Sequence, residues 1–201
     1  MFAQGDLVVY GGEGVCRVEG VGTPAATGID KTKMYYTLSP LYRTGQVMTP
    51  VDTGVLMRPV MTKAEAAAFL KELPQLPPEG PDGTTQRFAK EHYQSVVTSY
   101  DCRRMAAMIK YTCRRRQWAQ QHGRKSSQLD ERYLRRAEEQ LYGELAVALG
   151  IDRQEVCGYI RREYPAWPEG EKHKSFSCAA NIKATRRCGK RTGVSFCCMV
   201  T

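Results

Sequence analysis

Histidine is almost missing from this chain, with three in 201 residues, and none has a plausible nucleophile beside it. That argues against an acid–base or nucleophilic catalytic site, so no enzymatic activity is expected. Cys-x-x-Cys pairs are absent as well. The C-terminal Cys178, Cys188, Cys197, Cys198 and His173 lack the usual spacing of zinc ligands, so no metal is expected. The glycine cluster Gly11-Gly12-Glu13-Gly14 has no following Lys-Ser/Thr and precedes no helical pattern, so it reads as a turn, not a phosphate loop. No cofactor is expected. No stretch approaches the ~18 apolar residues that span a bilayer, and Met1 to Asp6 carries neither a basic region nor an apolar run. The expected location is therefore the cytoplasm. There Cys16, Cys102, Cys113 and Cys157 read as small buried hydrophobes.

What the chain does have is positive charge, unevenly placed. The net charge is +9, yet residues 1–81 hold seven basic against eight acidic residues. Residues 82–163 hold sixteen against eleven, and residues 164–201 seven against two. A neutral first part joined to a basic second part suggests that the second part meets a polyanion, the alternative being a solvated basic helix surface.

Hydrophobic patterning separates the same two parts. Leu7 to Tyr10, Val15 to Val21, Met34 to Leu38, Val47 to Thr49 and Val55 to Met57 are short β-rich runs broken by glycine and proline. Five such runs predict a small bent Tudor/SH3-like β-barrel, so the fold class is α+β. Thr62-Lys63-Ala64-Glu65 is a capping box opening a helix that closes this first domain, residues 1–73. Residues 74–83 hold four prolines and read as a semi-rigid linker. Residues 84–163 carry a helical period. Phe88, Tyr93, Val96 and Val97 are expected inward on a first helix; Cys102, Met105, Ile109 and Cys113 line a second, with Arg103, Lys110, Arg114 and Gln117 on its other side. Leu134, Ala137, Leu141, Leu145 and Ala148 stripe a long third, which Gly150 ends, and Asp152 opens a short last one. Residues 164–201 show no period and are expected to form a disordered basic tail.

Certain segments carry a resemblance. Gly5-Asp6-Leu7-Val8-Val9-Tyr10 with Gly14-Val15, then Tyr35-Tyr36-Thr37-Leu38 and Val47-Met48-Thr49-Pro50-Val51-Asp52, resemble the polymerase-interacting domain shared by bacterial CarD/CdnL-type transcription regulators and the transcription-repair coupling factor. Glu131 to Ala137 and Leu141-Tyr142-Gly143-Glu144-Leu145-Ala146 are similar to the long helix of the regulators, with its "GELA" ending. The resemblance implies a monomer whose barrel binds the RNA polymerase β-subunit lobe. It also implies a helical domain that touches promoter DNA near the −10 element and stabilises the open complex. Arg43, Val47, Met48, Thr49 and Pro50 are the candidate polymerase-binding residues, through pairing at a strand edge. Arg87, Lys90, Arg124, Lys125, Arg132 and Arg135 are the candidate DNA-binding residues. Relatives carry a minor-groove Trp near the start of the helical domain, where this chain reads Thr84-Thr85-Gln86-Arg87-Phe88; Phe88 is either a substitute wedge or a core residue. Two other functions fit the residues: a protein-interaction adaptor, and a nonspecific nucleic-acid binder.

Overall fold

Tyr36 and Leu38 alternate with half-buried neighbours, so one face of that strand lies in a core, and the early strands pair around it. A computed structural model of the chain describes residues 1–23, 32–81 and 85–168. Strands β1 (Leu7–Tyr10), β2 (Gly14–Gly22), β3 (Tyr35–Pro40), β4 (Val47–Pro50) and β5 (Met57–Pro59) form one antiparallel sheet in the order β4-β3-β2-β1-β5. Val8, Cys16, Val18, Tyr36 and Leu38 are its buried core. The β1–β2 turn needs Gly11, whose φ is +41° and where a Cβ would sit 2.8 Å from Val55 Cγ1.

The expected barrel is not closed. β4 and β5 are the two edges of the ladder, and no strand pairing joins them among the described residues. The sheet curls strongly, since Tyr10 Oη on β1 donates 3.0 Å to Thr49 Oγ1 on β4. Closure would need β5 to pair on its second side. It is three residues long, includes Pro59, and leads straight into contacts with the helical half.

Among the described residues five α-helices follow: α1 (Lys63–Glu72), α2 (Gln86–Ser99), α3 (Cys102–Gln121), α4 (Gln128–Leu149) and α5 (Arg153–Glu163). Each start is capped as the local sequence dictates. Thr62 and Glu65 form the reciprocal box, while Thr85, Asp101, Ser127 and Asp152 accept from amides of the next turn. Gly150, at φ +72°, ends α4 in the left-handed conformation. Among the described residues no helix is long and apolar enough to cross a membrane.

Packing divides the chain differently from its proline content. Ala66, Phe69 and Leu70 of α1, and Leu73 just after it, lie in the helical core with Tyr93, Ile109, Leu141 and Leu145, not in the sheet core. The helix expected to close the sheet is thus the first helix of the bundle. Residues 74–81, expected as a linker, are strapped to α3. Glu79 N donates to Ala107 O at 3.2 Å, Arg104 pairs with Glu79 at 2.9 Å, and Gly80 lies against the Tyr111 ring. Lys110, expected on an outer face, donates from Nζ to the carbonyls of Leu73 and Leu76, the latter at 2.9 Å. It satisfies carbonyls that the proline-ended helix leaves open. Burial and the nearby Arg114 charge hold its pKa below the ordinary lysine range.

Two further positions are revised. Phe88 is 58% exposed, and Ala89 takes the inward position on α2. Trp167, expected in a disordered tail, is 3% exposed, and its Nε1 donates to Tyr142 Oη at 3.2 Å. The packed chain therefore reaches Pro168, and the cysteines and histidine of the tail lie outside the described residues.

Candidate functional site

The helices fix two surfaces at opposite ends of the bundle. Tyr93 Oη of α2 donates to Asp130 Oδ1 at 3.1 Å, and Tyr133 Oη of α4 donates to Gln94 Oε1 at 3.0 Å. Farther along, Tyr100 after α2 and Cys102 at the start of α3 lie beside Arg58 and Glu144. α2 and α4 therefore run side by side in the same direction, with α3 antiparallel and Arg115 of α3 paired to Asp130 at 3.1 Å.

At the Glu144 end the sheet docks. Glu144 is 2% exposed and accepts 2.5 and 2.7 Å hydrogen bonds from Arg58 Nη1 and Nη2. It also accepts from Met61 N at 3.2 Å and Cys102 Sγ at 3.4 Å, so the buried carboxylate is fully engaged. The same hydrogen bond holds the Arg58 guanidinium above its ordinary pKa. Burial and the Glu144 charge push the Cys102 thiol up to about 12, so it is an unreactive, protonated donor. Cys16, in the sheet, is similarly raised to about 11 by burial. One residue earlier, Tyr42 Oη donates to Gly143 O at 3.1 Å, and a Cβ on Gly143 would lie 3.1 Å from the Tyr42 ring. The Gly143-Glu144 pair is thus the seat of the sheet on α4, a role no local sequence signal carries because Arg58 and Glu144 are 86 positions apart.

The candidate docking residues separate on this frame. Val47, Met48, Thr49 and Pro50 form β4, which pairs only with β3 among the described residues. Met48 is 41% exposed there, with exposed Met34 at the start of the neighbouring strand. Thr49 is buried against Tyr10, so it offers backbone and no side chain. Arg43 does not join the edge; it pairs with Glu13 at 3.5 Å and faces a small cleft toward Arg136, Glu139 and Arg153.

Residues 2–61 match the family model described as CarD-like/TRCF RID domain. Residues 2–61 are a CarD-like RNA polymerase-interacting domain. The RID domain comprises the whole sheet and ends one residue before the cap of α1, where packing passes from the sheet core to the helical core. It indicates RNA polymerase as a partner and a role in transcription. No curated protein matches the chain.

The candidate DNA-binding residues lie toward the other end. Arg87 and Lys90 are exposed on the first turns of α2, before Tyr93, and Arg124 and Lys125 are exposed in the α3–α4 loop, before Asp130. Because α2 and α4 run in the same direction, these four cations belong to one end of the bundle, far from the RID domain. Arg132 and Arg135 are exposed on α4, with the Arg132 guanidinium 5.1 Å from the Tyr133 ring centre. Arg87 also pairs with Glu91 at 2.9 Å, an exposed i,i+4 bridge weak enough to yield to a phosphate. Phe88, named from the sequence as either a wedge or a core residue, is exposed at this end, and so is Trp118, to which the sequence assigned no role.

Proposed function

We propose that the chain is a non-enzymatic transcription regulator that holds RNA polymerase through its RID domain and promoter DNA through the far end of its helical bundle. β4 adds as a strand to the polymerase β-subunit lobe, main-chain hydrogen bonds giving affinity and exposed Met48 giving an apolar contact. Arg87, Lys90, Arg124, Lys125, Arg132 and Arg135 hold phosphates near the −10 element, and the added contacts stabilise the open complex relative to the closed one. Phe88 stands one residue from Arg87 and is available to wedge into a minor groove. The protein acts as a monomer in the cytoplasm.

The outer edge of β4, which pairs with no further strand among the described residues, is the observation that carries this reading. Met48→Glu places a charge on that edge, which opposes strand addition. In the full chain the variant should keep its circular dichroism and melting temperature, because Met48 is exposed, yet lose calorimetric binding to the β lobe by tenfold or more, on the order of 1.4 kcal/mol. Unchanged binding by a folded Met48→Glu protein would remove β4 as the docking element.

A further inference from the structure

Trp118 is 50% exposed on the last turn of α3, and neither polymerase docking nor phosphate holding by the helical residues above uses it. The chain after it is closed by its own backbone. His122 N donates to the carbonyls of Trp118 and Ala119, both at 3.2 Å, and Arg124 N donates to Ala119 O at 2.8 Å across Gly123 at φ +63°. This turn lays the His122 ring on Trp118, with centroids 4.3 Å apart at 28°, and sets the Arg124 guanidinium 5.4 Å from the Trp118 ring centre. Beside them opens a cleft of about 260 Å³, lined by Trp118, Arg115, Arg116, Arg124 and Lys125 and by the acids Asp130 and Glu131. Four cations face two carboxylates there, and Asp130 is already engaged by Arg115 and Tyr93. The remaining positive surplus, next to a half-exposed indole, is the pairing that takes a phosphate and a base together. The cleft is just below the roughly 300 Å³ of the smallest ordinary ligand sites, so it can take no more than one nucleotide of a strand.

We propose that this cleft binds an unpaired nucleotide of single-stranded DNA, with its base on Trp118 and its phosphate between Arg124 and Lys125. The proposal rests on the DNA-binding reading above and deepens it. The cleft shares the bundle end with Arg87 and Lys90, so duplex and unpaired strand are held side by side at a point where one becomes the other. Base stacking on an aromatic tolerates any sequence, and the neighbouring cations follow the backbone.

The test uses the full chain and three probes: a short oligothymidylate, a duplex of mixed sequence, and thymidine monophosphate. Trp118→Ala should weaken the oligothymidylate about tenfold, within the range of one lost base stack. Duplex affinity should stay nearly unchanged. Trp118→Phe should recover most of the loss, and Arg124→Ala/Lys125→Ala should lower the single-strand salt slope by about 0.7, the value for the one phosphate they hold. Arg87→Ala/Lys90→Ala should reverse the pattern, weakening the duplex more than the oligothymidylate. If Trp118→Ala binds the oligothymidylate like wild type while Arg87→Ala/Lys90→Ala loses the duplex, the cleft assignment fails and the DNA reading stands. If no DNA probe binds and no basic variant matters, both fail. Competition by thymidine monophosphate at oligothymidylate concentrations would overturn the single-strand assignment in favour of a free nucleotide.

Discussion

Glu144 shows how one carboxylate can decide an arrangement of domains. Its two oxygens are met by both terminal nitrogens of Arg58, the amide of Met61 and the thiol of Cys102. Truncation leaves Arg58 partly buried without its counter-charge. Glu144→Ala should therefore cost about 3 kcal/mol in urea unfolding, the lower end for breaking a buried pair, because Arg58 keeps some contact with water. Exchanging both partners for apolar residues, Arg58→Met with Glu144→Leu, should cost clearly less than the sum of the two single losses. A Glu144→Ala protein as stable as wild type would show that the sheet is seated by other contacts. Glycine and glutamate at 143–144 are visible in the sequence as part of a family-like run, but the partner is not, since nothing local announces Arg58. Phe88 is different. Five residues before Tyr93 is about 140° round a helix, so the 3.6 period, followed strictly, places Phe88 off the stripe of Tyr93, Val96 and Val97 to which it was assigned.

Among the elements, α1 and the strap after it were read from the right residues with the wrong consequence. Thr62-x-x-Glu65 does start a helix, and Pro74 does end it. Proline forbids a helix, but it does not decide whether the chain then leaves the surface. Here Lys110 gathers the open carbonyls of Leu73 and Leu76, and Glu79 ties the strap to Arg104 and Ala107. Gly80 permits the closest approach: a Cβ would lie 2.2 Å from Tyr111 Cζ. Gly80→Ala must push the Tyr111 ring aside, and should cost about 1–2 kcal/mol by denaturant unfolding, in the range for overpacking a fitted contact. The matching Tyr111→Ala background should remove most of that penalty. If Gly80→Ala is neutral in the wild-type background, the strap is not held against α3 in solution.

Across the whole molecule, α4 is the spine between two surfaces. Asp130, at the basic end, and Glu144, at the seat of the RID domain, are separated by fourteen residues of one helix, about 21 Å along its axis. Under the proposed function, that spacing would set the distance between DNA contacts at the basic end and the polymerase contact, and so raise the effective concentration of the former at a promoter. The bundle that fixes this distance extends past α5 to Trp167, packed on Tyr142 with Lys110 Nζ 5.9 Å from its ring centre. A chain ending after Glu163 should therefore be about 3 kcal/mol less stable than one ending after Pro168, the low end for deleting a buried Trp. Equal melting temperatures for the two truncations would contradict that packing. The sequence by itself determined the local grammar: five short strands from alternation and glycine punctuation, helices from their caps and their 3.6 period, and a basic half apart from a neutral one. Tertiary structure decided what those elements belong to. It put α1 in the bundle, left the sheet open with β4 at its edge, and brought Arg58 to Glu144. Caps and periods act over one or two turns, where sequence neighbours are neighbours in space. Burial and ion pairing are settled by whichever distant surface removes the most apolar area and satisfies the most charge, and that surface exists only once the chain has folded.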